Sequence, residues 1–170
     1  YITIVIFLLI GTLLTCILQS SAALMAITMV LCSSGVLPVY LGIALVMGEN
    51  IGTTATANLA ALGANTQARR AALAHLVFNV FGVFWVLCCF YPFVDAVCSF
   101  VNYDPLSGST DPVKLSVVLA AFHTSFNVCN TCILVWFIPQ IERLVCWMIK
   151  PRGTDDEYEF RLRYIGGNAI

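Results

Sequence analysis

Charge is scarce in this sequence of 170 residues, and what there is lies mostly in the second half. Asp, Glu, Lys and Arg make up 10% of the residues, against roughly 25% in a soluble domain. From Tyr1 to Gly48 there is none of them. Residues 71–94 form a second such run, 24 long, and residues 115–141 a third, of 27. With 60% hydrophobic residues, there is too little polar material to coat a globule, which excludes a soluble fold. A net charge of −1 without a basic stripe excludes a nucleic-acid partner. The signatures HExxH, GxSxG, GxGxxG and the P-loop are missing, so no enzyme class is indicated. Ser20 or Ser21 with His75 could be drawn as a nucleophile and base, but no spacing favours it. The sequence opens at Tyr1 without Met or a basic n-region, so a segment of a longer protein is expected rather than a cleavable signal peptide.

Eight cysteines are present, and six of them lie inside apolar runs, where Cys behaves as a small hydrophobe. Cys129 and Cys132 form a CxxC with no second pair nearby, so packing is expected there, not metal or redox chemistry.

A spanning helix needs about 20 mostly apolar residues. The second and third uncharged runs each fit one span, and the first has room for more than one segment. Residues 2–18 read as a helix that stops at Gln19-Ser20-Ser21. Residues 22–32 resume it, and Ser33-Ser34-Gly35 with Pro38 marks a turn. An apolar stretch over 39–47 meets a polar one from Gly48 to Thr54, and residues 55–63 again suit a helix. Spans are expected over 71–94 and 115–138, a polar loop over 95–113 and a charged tail over 141–170. Two single spans place Arg69 and Arg70 on the same side as Arg143, Lys150, Arg152, Arg161 and Arg163. That side is cytoplasmic by the positive-inside rule. The whole reads as an all-α integral membrane protein, a polytopic helical bundle with broken or re-entrant helices.

Two polar clusters interrupt the apolar segments, Gln19-Ser20-Ser21 and Gly48 to Thr54. Broken backbone at membrane depth is tolerated only when buried in protein or lining a wet cavity. A break frees carbonyls that suit a cation and amides that suit an anion. Gln19, Ser20, Ser21, Asn50, Thr53 and Thr54 add hydroxyl and amide groups, and neither cluster holds Arg or Lys. Asn50, Thr54 and Asn58 share one face if helix continues through them, and Thr12, Thr15 and Gln19 share another. Against this stands a purely structural role, because lone Ser, Thr and Asn often join neighbouring helices. Glu49 is the one charge before Arg69. It could hold sodium, carry a proton, sit neutral beside Asn50, or be hydrated near an interface. His75/Asn79 and His123/Asn127 are i, i+4 pairs within a repeated H-x-x-F-N-V, 48 residues apart. Interhelical hydrogen bonding is expected of them, with support of a site as the alternative. No carboxylate cluster makes them a metal centre.

The stretches TCILQSSAAL (Thr15–Leu24), GENIGTTATA (Gly48–Ala57), RRAALAHLVFNVFG (Arg69–Gly82) and FHTSFN (Phe122–Asn127) resemble the bacterial form of the type II sodium/phosphate cotransporter family. That family has two inverted repeats, each with a QSSS and a GxNIGTT element. The tail's FIPQIERLV and FRLRYIGG resemble the linker to a PhoU-like domain. The resemblance implies that residues 1–140 are the second repeat, one half of an inverted-repeat transporter, and that 141–170 lead toward a PhoU-like domain outside this sequence. It implies sodium-coupled inorganic phosphate transport across a bacterial inner membrane, with sodium as coupling ion and no cofactor. Gln19, Ser20, Ser21, Asn50, Gly52, Thr53 and Thr54 would line the site, and Glu49 joins them by position. Thr15, Asn58, His75, Asn79, His123 and Asn127 would support it. The partners implied are phosphate, sodium, the bilayer, and either the first repeat or a second copy. Ala22 stands where the family has its third Ser, and Glu49 where it often has Ala or Ser. Phosphate and arsenate would use the same donors. The alternative is a non-transporting membrane scaffold that acts through its tail, and an enzyme is not expected.

Overall fold

A computed structural model describes residues 1–151. Seven α-helices and two 3-10 turns account for nearly all of them, with no strand among the described residues. They are α1 (Ile2–Leu18), α2 (Ser21–Ser33), α3 (Val39–Ala60), a 3-10 turn (Ala61–Gly63), α4 (Thr66–Cys88), α5 (Phe90–Phe100), α6 (Pro112–Leu134), a second 3-10 turn (Val135–Phe137) and α7 (Ile138–Met148). Arg152, Arg161, Arg163 and the FRLRYIGG stretch lie outside the described residues.

The central element is α3, buried without a break from Gly42 to Asn50. Its glycines decide its neighbour. A Cβ on Gly48 would collide with the Leu8 carbonyl, and one on Gly52 would come 2.6 Å from that of Thr12. Gly11 on α1 answers by closing onto the backbone of Leu45. Residue numbers rise together along both helices, so α1 and α3 run parallel at a separation only glycine permits. Thr12 Oγ1 donates to the Gly48 carbonyl at 3.1 Å and Cys16 Sγ to that of Gly52 at 3.7 Å. These bonds stitch the seam, and Thr12 shares its one hydroxyl proton between Gly48 and the Leu8 carbonyl of its own helix.

Helix α2 runs back along α3, with Thr28 and Cys32 against Gly42. Helices α1 and α2 therefore form a hairpin with its bend at Gln19-Ser20. Extending the α1–α3 register places that bend level with residues 55–56, about one turn before α3 ends. At the opposite end Tyr1, Tyr40 and Tyr91 interlock edge to face, and the Tyr40 hydroxyl donates to Asp95 at 2.6 Å. Helix α4 returns antiparallel to α3, and α6 crosses α4 at Gly82, where Phe126 and Asn130 fill the space a Cβ would need.

Two helical stretches are long and apolar enough to cross a membrane, Thr66–Cys88 and the continuous run Pro112–Met148. The outer surface is apolar as well, with Ile17, Phe84 and Trp136 at 67%, 66% and 79% exposure. Patches of this kind require lipid or protein cover.

The structure differs from five expectations. The stretch Gly48–Thr54 does not break: α3 continues through it, because its glycines face α1 and Thr53 and Thr54 bond back to the carbonyls of Glu49 and Asn50. The span expected over 71–94 is α4, which starts at Thr66 under the Asn65 cap and stops at Cys88. Residues 90–100, half assigned to a polar loop, form α5 instead, with Pro92 in the first turn, where no amide is needed. The span expected over 115–138 starts at Pro112 and yields at Val135 to the 3-10 turn. The tail expected from residue 141 begins inside α7, which packs on α4.

Gly48→Leu forces a side chain into the α1 backbone and is expected to destabilise the protein by about 1–3 kcal/mol or more. Thermal unfolding of the detergent-solubilised protein reads this, and an unchanged midpoint would contradict the parallel glycine seam.

Candidate functional site

The hairpin bend is built from two residues. Gln19 takes the left-handed conformation (φ 51, ψ 27), uncommon for a non-glycine residue, and ends α1 by donating its N–H to the Thr15 carbonyl at 2.8 Å. Ser20 is extended and caps α2, its Oγ accepting from the Ala23 amide at 3.2 Å. The final carbonyls of α1, from residues 16–18, and the first amides of α2, from Ser21 and Ala22, have no partner within their helices. Both helix ends therefore face the same bend, one offering oxygen lone pairs and the other N–H groups.

The α3 residues beside it differ in what they can offer. Thr53, exposed, donates its hydroxyl proton to the Glu49 carbonyl at 2.9 Å. Thr54, buried, donates to Asn50 and Ile51. Thr15 donates to Gly11 at 2.9 Å. A hydroxyl whose proton is engaged presents only lone pairs, which suits a cation and not an anion. Anion donors come from elsewhere: the α2 amides, the Gln19 side-chain amide, the Ser21 hydroxyl, and Asn50, whose Nδ2 is buried without a partner. Glu49 is 3% exposed at the middle of α3 and its Oε2 is also unpartnered, which removes the reading of a hydrated interfacial carboxylate. Such groups are costly to bury unsatisfied.

The structure brings part of the expected set together. Gln19, Ser20 and Ser21 lie at the bend. Gly52, Thr53 and Thr54 lie within about a turn of it along α3, Thr54 with its side chain buried, and Glu49 and Asn50 lie one to two turns farther along the helix. Among the described residues no hydrogen bond joins the Gln19–Ser21 cluster to Glu49, Asn50, Thr53 or Thr54. Asn58 reaches α4, donating to the carbonyls of both Thr54 and Ala72 at 2.8 Å. Asn79 and Asn127 each donate to the histidine four residues before them, at 3.1 and 2.8 Å. The repeated H-x-x-F-N-V thus makes the same local bond twice, not the interhelical one expected of it. His75 is exposed in a cleft between α4 and α7, while His123 is half-buried with Nδ1 unpartnered.

The interhelical bond is made by residues that sequence reasoning passed over. Asn130 donates to the Phe78 carbonyl at 2.9 Å and accepts from Trp85 Nε1 at 3.2 Å, tying α6 to α4. Asn130 could have been singled out as a side-chain amide between the two cysteines of the CxxC, inside an apolar run. Thr28, buried with Oγ1 unpartnered, carried no such signal.

The family model described as Na+/Pi-cotransporter matches residues 3–93, which include all but the first residue of the hairpin, α3 and α4. The uncharacterized protein YqeW of Bacillus subtilis is 35% identical over 142 residues, covering 84% of this chain and 43% of that protein. "Putative inorganic phosphate export protein YjbB" of Salmonella typhimurium is 30% identical over 152 residues, 88% of this chain and 26% of that protein. Its Escherichia coli counterpart of the same name is 28% identical over 162 residues, 95% and 28% of the two chains. The chain spans less than half the length of these relatives. No solved structure matches it significantly.

Because Ser20 caps α2, Ser20→Ala is expected to cost about 1 kcal/mol of stability, whereas Ser20→Asn keeps the cap and the stability. Chemical or thermal unfolding of the pair measures this. Equal loss in both variants would mean that the hydroxyl is not held as a cap.

Proposed function

The chain belongs to the Na+/Pi-cotransporter family, and from that premise we propose that it supplies one half of a sodium-coupled carrier of inorganic phosphate in a bacterial inner membrane. The observation that carries this reading is the hairpin bend, where the carbonyl end of α1 and the amide end of α2 meet beside the GENIGTT stretch of α3. An oxyanion is held there by the Ser21 and Ala22 amides, the Ser21 hydroxyl and Gln19, with the positive end of the α2 dipole behind them. Sodium is held by α1 carbonyls and by the lone pairs of Thr53 and Ser20, close enough to screen the anion's charge. No Arg or Lys is needed, because bound sodium takes that role.

In this reading Arg69, Arg70, Arg143 and Lys150 mark the cytoplasmic end, where α4 begins and α7 packs. Asp95, Asp104 and Asp111 lie at the other end. The α1–α2 hairpin then enters from the non-cytoplasmic side and stops about a turn short of the cytoplasmic end of α3. Residues 1–140 act as a transmembrane repeat and 141–170 as its cytoplasmic continuation. The second half of the site comes from another repeat of the parent protein or from a second copy, and access alternates as one half rocks against the other. Asn58, through its bond to α4, holds the α3 wall of the site, and Asn79 and Asn127 hold their own helices. Glu49 and Asn50, buried with unpartnered atoms, lie one to two turns below the bend, where an ion leaving the site would meet them.

The parent protein in proteoliposomes should move labelled phosphate when a sodium gradient is imposed, and a potassium gradient should not substitute. Measuring both orientations decides between uptake and export. Thr53→Val and Ser21→Ala should each lower the rate at least about tenfold, the loss of one charge-assisted ligand bond, without the stability change expected of Ser20→Ala. Sodium-independent phosphate movement, or normal rates in both variants, would refute the proposed site.

A further inference from the structure

Helix α7 does not lie flat on α4. Between them is a cleft of about 690 Å3, the size of a small-ligand pocket. Its apolar walls come from Ala71, Ala74 and Phe78 on α4 and from Ile138, Ile141 and Val145 on α7. These positions recur at intervals of three and four, so each helix turns one whole face toward the gap. The mouth is polar, with Arg70 and Gln67 on one side and Glu142 on the other. Among the described residues Arg70 donates only its Nε, to the Ile149 carbonyl at 3.0 Å, which anchors the guanidinium beside the end of α7 and leaves its terminal amines for a ligand. Arg70 and Glu142 line the same cleft, yet no ion pair joins them among the described residues. Two opposite charges held apart at the mouth of an apolar slot match a ligand with an anion, a cation and a hydrocarbon tail.

We propose that this cleft is a binding site for one aminophospholipid, with its phosphodiester on Arg70, its ammonium on Glu142 and an acyl chain along Ala74, Phe78, Ile141 and Val145. The proposal rests on the reading above that α4 crosses the bilayer with Arg70 at the cytoplasmic surface, where such head groups lie. A planar guanidinium suits a phosphate oxygen pair. A primary ammonium donates hydrogen bonds to Glu142, which a trimethylammonium cannot do, so phosphatidylethanolamine binds in preference to phosphatidylcholine. Phosphatidylglycerol keeps the phosphate contact and loses the ammonium contact. The lipid acts as a wedge that holds α7 at its angle to α4.

The test uses the full parent protein in nanodiscs of equal phosphatidylethanolamine, phosphatidylglycerol and phosphatidylcholine, transferred to mild detergent and weighed by native mass spectrometry. One retained phosphatidylethanolamine per chain is expected. Arg70→Gln should reduce retention of all three lipids about tenfold. Glu142→Gln, at an exposed position that leaves folding intact, should keep phospholipid but abolish the preference for the amine. Ala74→Trp fills the slot and should exclude lipid while thermal unfolding reports a folded protein. Equal retention of the three lipids by the wild type, or none at all because protein fills the cleft, would overturn the proposal. Displacement of the lipid by excess inorganic phosphate would also overturn it, reassigning Arg70 to free phosphate. Retention is read without any transport, so its failure leaves the phosphate-carrier reading standing, and failure of transport leaves the lipid result standing.

Discussion

The close approach of α1 and α3 is the contact on which the rest of this structure depends. Gly11, Gly48 and Gly52 let two backbones meet where any side chain would collide with a carbonyl. In a lipid environment there is little hydrophobic gain from bringing helices together, so packing of small residues and hydrogen bonds must supply it. Thr12 and Cys16 add those bonds across the same seam. With α1 fixed in register against α3, the height of the Gln19–Ser20 bend is fixed too. A hairpin tip that would otherwise wander is held beside Gly52 and Thr53.

The treatment of polar groups follows one rule along the chain. Thr12, Thr15, Thr53 and Thr54 all return their hydroxyl protons to a carbonyl about one turn back, and Asn79 and Asn127 do the same with their amides. This keeps helices intact where no water is at hand, and it leaves oxygen lone pairs as the surplus. Few groups escape the rule: the two helix ends at the bend, and the buried unpartnered atoms of Thr28, Glu49, Asn50 and His123. At the bend the free backbone amides and free backbone carbonyls of two helix ends face each other.

Family membership and the local geometry bear on different questions. The match over residues 3–93 concerns the hairpin, α3 and α4, where the bend and the glycine seam lie. Helices α6 and α7 lie beyond it and carry features of their own: the Asn130 bridge between α6 and α4, and the cleft under α7. The amphipathic α7, with Trp147 75% exposed, has the character of a helix lying along a surface. The Ile149 carbonyl just past its end accepts from Arg70, which ties α7 to the basic end of α4.

Membrane character, the turn positions at Gln19–Ser20 and Ser33–Pro38, and the two polar clusters were legible in the sequence, because charge scarcity and local turn chemistry are properties of neighbouring residues. The continuity of α3 was not. Gly48 and Gly52 look like a break along the chain, and only their contact with Leu8 and Thr12, some forty residues away, turns them into a packing seam. The separate α5 was hidden for a related reason: hydropathy runs smoothly past Cys89, while the chain turns there to bring Tyr91 against Tyr1 and Tyr40. The repeated H-x-x-F-N-V announced a shared role but not which one, since an amide can bond its own helix or a neighbour's, and the interhelical part fell to Asn130. The sequence by itself determined which hydroxyl, amide and carboxyl groups stand in the two polar clusters. Tertiary structure decided which of them keep a free proton or lone pair, because that depends on the carbonyls packed against them.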